Sequence, residues 1–153
     1  MSRRLAAAVL GLFLASTGGL LAEDKTLYGA ATEALNRGLK RLEKQEYEAA
    51  LKDFDAALTL APALSDAVRH RGAAYLGLNR LGDAKQAYMH LFVHDRTASS
   101  VLMKAMKSWV EKRRAQPAGI DGASLDAFDA WVRERDALAA AVVNLGHNSP
   151  DWK

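Results

Sequence analysis

The sequence contains no cysteine, and this absence excludes several kinds of site at once. A chain without thiols forms no disulfide, no thiolate metal centre and no cysteine nucleophile, and it carries no lipid on cysteine. Proline is also rare, with three residues in 153, and aromatic residues make up only 7% of the chain. Because proline breaks helices and the abundant alanine favours them, this composition favours a helical protein.

A strong charge of one sign is also missing. The formal net charge is +3, but Arg3 and Arg4 lie in the first residues, and the other 19 of the 21 basic residues face 18 acidic ones. This nearly neutral body lacks the concentrated basic face of nucleic-acid-binding proteins, so we expect no nucleic-acid partner. No Ser/His/Asp order and no glycine-rich phosphate loop stands out either, so we expect neither catalysis nor a cofactor.

The first 22 residues have the composition of a secretory signal peptide. Two arginines precede an apolar run at residues 5–15, and small residues lead up to Ala22. We therefore expect residues 1–22 to direct export into the periplasm or the bacterial cell envelope, with cleavage after Ala22. Two alternatives remain open. Residues 5–22 are about long enough for an uncleaved membrane anchor, and a cytosolic protein can carry such a run by chance.

A pattern that recurs after 34 residues organises the rest of the chain. Glycine, alanine and an aromatic residue each return at this distance, as Gly38 and Gly72, Ala50 and Ala84, and Phe54 and Tyr88. Self-similarity at a fixed period of this length is typical of a helical repeat. The chain resembles a tetratricopeptide repeat twice, in Gly38…Tyr47-x-x-Ala50-x-x-x-Phe54-x-x-Ala57…Pro62 and in Gly72-x-x-Tyr75…Ala84-x-x-x-Tyr88.

This resemblance implies an all-α fold, a short solenoid of helix pairs with about six helices. Two clear repeats fall within residues 23–96, and a degenerate third repeat within residues 97–146 forms a capping helix pair, followed by a tail at 147–153. Trp109 lies 34 residues after Tyr75, which supports the third repeat. Stacked repeats need a terminal unit with a polar outer face, and this pair is suited to that place.

Capping and breaking residues predict where the helices begin and end. Ser65 or Asp66 is a good N-cap for the third helix, Ser99 begins the fifth, and Ser124 caps a long last helix. Residues 116–122 contain proline and glycine and predict the loop between the last two helices. Arg41 departs from the family pattern, which has an apolar residue there, and predicts a first helix that frays toward solvent.

The resemblance also implies a partner-binding site. In tetratricopeptide proteins the first helices of successive repeats line a concave groove that binds a peptide or a partner helix. The corresponding residues here are Leu35, Asn36, Leu39, Leu42, Arg69, His70, Ala73, Leu76, Met103, Lys104, Lys107 and Val110. This mixture of apolar and basic residues fits a protein or peptide partner with a hydrophobic anchor and an acidic segment. The alternative is that the leucine row is covered by the preceding segment or by self-association.

A different class of function is a periplasmic ligand- or metal-binding protein that uses His90 and His94. These residues lie four apart on one predicted helix, a spacing that lets two imidazoles share a metal. Two ligands are too few, and Leu91 and Phe92 stand where a metalloprotease motif has its glutamate. We therefore expect no metal site here. We expect membrane contact only if the leader remains uncleaved.

Overall fold

A computed structural model describes residues 25–147, and the side chains as far as residue 143. This part of the chain is all-α, contains no strand, and forms six helices whose neighbours pack against one another. They are α1 (residues 25–43), α2 (Tyr47–Leu60), α3 (Ser65–Gly77), α4 (Leu81–His94), α5 (Arg96–Ala115) and α6 (Gly122–His147). The expected all-α class and the number of helices are confirmed.

The turns after α1 and α3 have the same backbone geometry. Gln45 and Asn79 both have a left-handed conformation, with φ angles of 61° and 59°. In each turn the next residue donates a backbone hydrogen bond of 2.9 Å to a carbonyl five residues earlier, from Glu46 to Arg41 and from Arg80 to Tyr75. Such bonds satisfy carbonyl groups that the end of a helix leaves unpaired. The 34-residue rhythm of the sequence therefore recurs in the backbone.

Two of the recurring glycines lie where a neighbouring helix approaches closely. A Cβ atom on Gly38 would come within 2.5 Å of Phe54 Cε1, and one on Gly72 within 2.7 Å of Leu102 Cδ2. Only a residue without a side chain fits at such distances. The expected role of these glycines in helix packing is confirmed, although Gly38 meets its own helix pair and Gly72 meets α5.

The other recurring residues are buried. Ala50, Phe54 and Ala84 have no exposed surface, and Tyr88 is 2% exposed. They belong to two clusters, one formed by α1, α2 and α3 and the other by α3, α4, α5 and α6. Helix α3 contributes to both clusters and so joins the two ends of the molecule.

An ion pair with α2 holds the last turns of α1, where the sequence predicted fraying. Asp53 is buried, and its carboxylate lies 2.8 Å from the guanidinium of Arg41. Arg37 donates a second contact to the same carboxylate at 3.4 Å, and Arg41 also donates to the Ala49 carbonyl. The fraying prediction overlooked that the charge of Arg41 has a partner on the facing helix.

Three of the predicted helix starts need correction. Ser65 is the first residue of α3, and Leu64 occupies the cap position without a side-chain hydrogen bond. Helix α5 begins before Ser99, because the Asp95 carboxylate accepts a hydrogen bond from the Ala98 N–H. In α6 it is Asp121 that accepts a hydrogen bond, from the N–H of Ser124. Aspartate therefore caps the last two helices where serine was predicted.

The predicted leader and most of the predicted tail lie outside the described residues. Within residues 25–147, no helix has both the length and the apolar character required to cross a bilayer.

Candidate functional site

The α5 residues of the predicted groove line a cleft between α4, α5 and α6, with a volume of about 310 Å³. We call it the basic cleft and define it by an apolar floor and a basic rim. The floor consists of Tyr88, Phe92, Met103, Ala139, Ala140 and Val143, and the rim of Arg96, Lys104 and Lys107. Asp136 is the one acidic residue among those that line the cleft.

The floor combines a rigid aromatic base with an open apolar wall. Tyr88 and Met103 are 2% and 4% exposed, while Val143 on α6 is 64% exposed. The Tyr88 ring packs against Phe92 at 5.9 Å and edge-on against Trp131 at 5.6 Å between ring centroids. Burial raises the pKa of Tyr88, so its phenol stays neutral at physiological pH. The floor therefore offers a shaped apolar surface without a negative charge.

The rim carries positive charge that the rest of the described chain does not neutralise. Lys107 forms an ion pair with Asp136 on α6. The Arg96 guanidinium lies 4.2 Å from the centroid of the Phe92 ring, in a cation–π contact. Lys104 is exposed, and neither it nor Arg96 has an ion-pair partner among the described residues. Two cations thus remain at the mouth of an apolar cleft.

The α1 residues of the predicted groove lie with the first core cluster. Leu35 is 8% exposed and belongs to that cluster, and Leu39 and Leu42 pack against it while remaining partly accessible. Asn36 is exposed. This leucine row is therefore partly covered by α2 and α3 of the same chain.

The α3 residues of the predicted groove divide between core and surface. Leu76 is 3% exposed in the second cluster, whereas Arg69, His70 and Ala73 are half-buried. The Arg69 guanidinium donates to the Asp66 carboxylate and lies 2.8 Å from His70 Nε2. Burial and the neighbouring Arg69 charge lower the pKa of His70 to about 4, so the imidazole is neutral at physiological pH. The charge on α3 is therefore largely balanced within the chain.

A second cleft, of about 400 Å³, lies between α5 and α6 and differs from the basic cleft in its charges. The Asp129 carboxylate accepts hydrogen bonds from Arg114 at 2.7 Å and from Arg133 at 2.8 Å, and Arg114 also contacts Asp126. Burial alone would raise the pKa of Asp129, but the two guanidinium groups outweigh it and hold the pKa below its ordinary value. Each of these charges has an opposite charge beside it.

His90 and His94 lie together on α4, with 4.6 Å between their ring centroids. They line a cleft with Pro62, Ala63, Ser65 and Val68 at the junction of α3 and α4. Among the described residues no group of three or more histidine, aspartate or glutamate side chains is placed to hold a metal ion. Asp95, the nearest acidic residue in sequence, is occupied as the N-cap of α5.

Sequence reasoning missed three residues of the basic cleft. Arg96 follows Phe92 by four residues, a spacing that would have signalled their contact if α4 and α5 had been treated as nearly continuous. Val143 and Asp136 gave no signal, because their positions depend on how α6 lies along α5 after a long loop.

Comparison of the whole chain with family models, curated proteins and solved structures yields no match.

Proposed function

We propose that this chain is an exported helical-repeat module of the bacterial cell envelope, without a catalytic step, that binds a peptide or a helix of another protein. The recurrence of turn geometry at Gln45 and Asn79 and the close approaches at Gly38 and Gly72 support the repeat architecture. In this proposal α1–α2 and α3–α4 are two tetratricopeptide-like repeats, and α5–α6 is a degenerate third.

The paired charges on α5 and α6 support a capping role for this last helix pair. Arg114, Asp129 and Arg133 form a network beside the second cleft, in which buried Asp129 has two cationic partners. A polar, internally neutralised outer face disfavours the addition of a further repeat, as expected of the terminal unit of a stack. The binding surface is then at the other cleft of the same helices.

The basic cleft is the single observation that carries the binding proposal. Its floor exposes apolar surface, most of all at Val143, in a protein whose other large apolar side chains are mostly packed. A side chain of a partner that enters the cleft loses contact with water, which favours binding by about 25 cal/mol for each Å² of apolar area covered. Anchoring by one or two such side chains is typical of peptide and helix recognition.

A selection from a randomised 12-residue peptide library displayed on phage tests this proposal, with the full chain as bait. Ala140 is exposed at the edge of the floor, and Ala140→Trp fills the cleft from α6 without disturbing the buried core. Ala141→Trp is the matched control, because Ala141 is exposed on the same helix and does not line the cleft.

We expect the unmodified chain and the Ala141→Trp variant to retain the same peptides. The Ala140→Trp variant should retain on the order of 10-fold fewer. Equal retention by both variants, or no retention above that of Ala140→Trp, contradicts the proposed site.

The sequence of residues 1–22 supports the export part of the proposal. The intact mass of the chain purified from a periplasmic extract tests it. A mass that begins at Glu23 agrees with export and cleavage, and an uncleaved chain confined to the cytosol contradicts export.

A further inference from the structure

We infer that the basic cleft selects partner segments in which a bulky apolar residue lies beside carboxylates, and that Lys104 is the residue that recognises the carboxylates. This inference rests on the proposed function and adds the chemistry of the partner. It follows from the distribution of paired and unpaired charges around the cleft.

Lys107 is already neutralised within the chain. Its ammonium group is paired with the Asp136 carboxylate across the α5–α6 boundary. A carboxylate from a partner that approached Lys107 would compete with Asp136, and the two negative groups would repel each other. Lys107 therefore holds the two helices together and contributes little to the attraction of an anion.

Lys104 lies one turn before Lys107 on α5, and its charge is free to act on a partner. It is exposed at the rim and has no ion-pair partner among residues 25–143. The lysine side chain reaches outward on a flexible stem while its charge remains hydrated, which suits a contact made at the rim of an interface. Charged groups at a rim mainly set which partners associate and how fast.

Arg96 supports Lys104 from the other side of the mouth. Its guanidinium is held over the face of Phe92, so a cation is fixed directly above an aromatic residue of the floor. A partner side chain that packs against Phe92 thus enters beside a positive charge. An apolar residue with a neighbouring aspartate or glutamate satisfies the floor and the rim together.

The charge on the other described surfaces does not favour a carboxylate to the same degree. Arg69 is paired with Asp66, and Arg71 with Asp55. Arg114 and Arg133 share Asp129. The basic cleft is distinguished by its combination of open apolar surface and two cations without such partners.

The peptide most enriched by the full chain in the phage selection is the probe for this inference. Its affinity is measured by fluorescence anisotropy, together with that of a twin in which every Asp and Glu is replaced by Asn and Gln. Lys104→Glu is the test variant. Lys112→Glu is its matched control, because Lys112 is also exposed on α5 and lies two turns away from Lys104.

We expect Lys104→Glu to weaken binding of the acidic peptide on the order of 10-fold, and the neutral twin to bind the unmodified chain about as weakly. Lys112→Glu should leave the affinity unchanged. The double variant Lys107→Asp/Asp136→Lys restores the ion pair in the opposite sense, so it should also retain the peptide. Circular dichroism checks that all variants remain helical.

The outcomes separate this inference from the proposed function. A peptide that needs the open cleft at Ala140 but binds equally with and without Lys104→Glu overturns the inference and leaves the function standing. An enriched peptide without carboxylates does the same. A peptide that is insensitive to Ala140→Trp overturns both.

Discussion

Gln45 and Asn79 adopt the same left-handed backbone conformation in two turns that lie 34 residues apart, with φ angles of 61° and 59°. Neither residue is glycine, so the turn geometry is imposed by the way the flanking helices pack. The two turns nevertheless differ in one respect. The Asn79 side chain donates to the Gly119 carbonyl at 3.0 Å and so ties the α3–α4 turn to the loop before α6.

Replacement of these two residues by glycine should therefore have unequal effects. Gln45→Gly relieves the left-handed strain and is expected to stabilise the fold by about 0.5–1 kcal/mol. Asn79→Gly relieves similar strain but loses the hydrogen bond to Gly119, so we expect little or no gain. Urea denaturation of both variants measures the difference, and an equal gain would show that the Asn79 bond contributes nothing.

The close approaches at the recurring glycines predict a second contrast. Gly38→Ala places a methyl group 2.5 Å from Phe54 Cε1, and we expect it to destabilise the fold by about 1–3 kcal/mol. Gly29 lies in the same helix with nothing within 4 Å of an added Cβ. Gly29→Ala should stabilise by about 0.5–1 kcal/mol, because alanine favours a helix more than glycine does. Loss of stability in both variants would mean that helix packing does not explain the glycine at position 38.

The Asp129 network predicts how stability depends on pH. The pKa of Asp129 is held below its ordinary value of 3.8 in the folded protein. A depressed carboxyl pKa contributes stability above the unfolded value, and this contribution is lost as the pH falls through the folded value. Asp129→Asn should therefore lower the free energy of unfolding near neutral pH, and its difference from the unmodified chain should shrink below about pH 3.8. A difference that stays constant with pH would contradict this account of the network.

The arrangement of His90 and His94 predicts no tight metal site. Their rings lie close together, but a structural zinc site takes four ligands, and no third side chain joins them among the described residues. Added Zn²⁺ should leave the melting temperature unchanged in the unmodified chain and equally in His90→Ala/His94→Ala. Stabilisation by zinc that disappears in the double variant would instead support the ligand-binding alternative.

The sequence predicted the core better than the helix ends and the surface. Gly38, Ala50 and Phe54 belong to a pattern of side-chain size, and size decides packing, so their burial could be expected in advance. Helix starts were harder, because serine and aspartate are both good caps and the choice between Asp95 and Ser99 depends on where the preceding helix stops.

The basic cleft was predictable only in part. Met103, Lys104 and Lys107 followed from the period of the repeat, whereas the pairing of Lys107 with Asp136 depends on the register of α6 along α5. A loop with about six extra residues separates these helices from the repeat pattern, and no local rule fixes that register. The distinction between a neutralised Lys107 and a free Lys104 therefore needed the structure.

Site-directed photocrosslinking in intact cells tests the central claim most directly, which is that a partner occupies the basic cleft. A benzoylphenylalanine in place of Ser100, at the mouth of the cleft, should yield a discrete adduct with another protein, and this adduct should disappear when Ala140→Trp fills the cleft. The same crosslinker in place of exposed Lys52 on α2 should yield none. An adduct that persists with the cleft filled, or equal adducts from both positions, would contradict the claim.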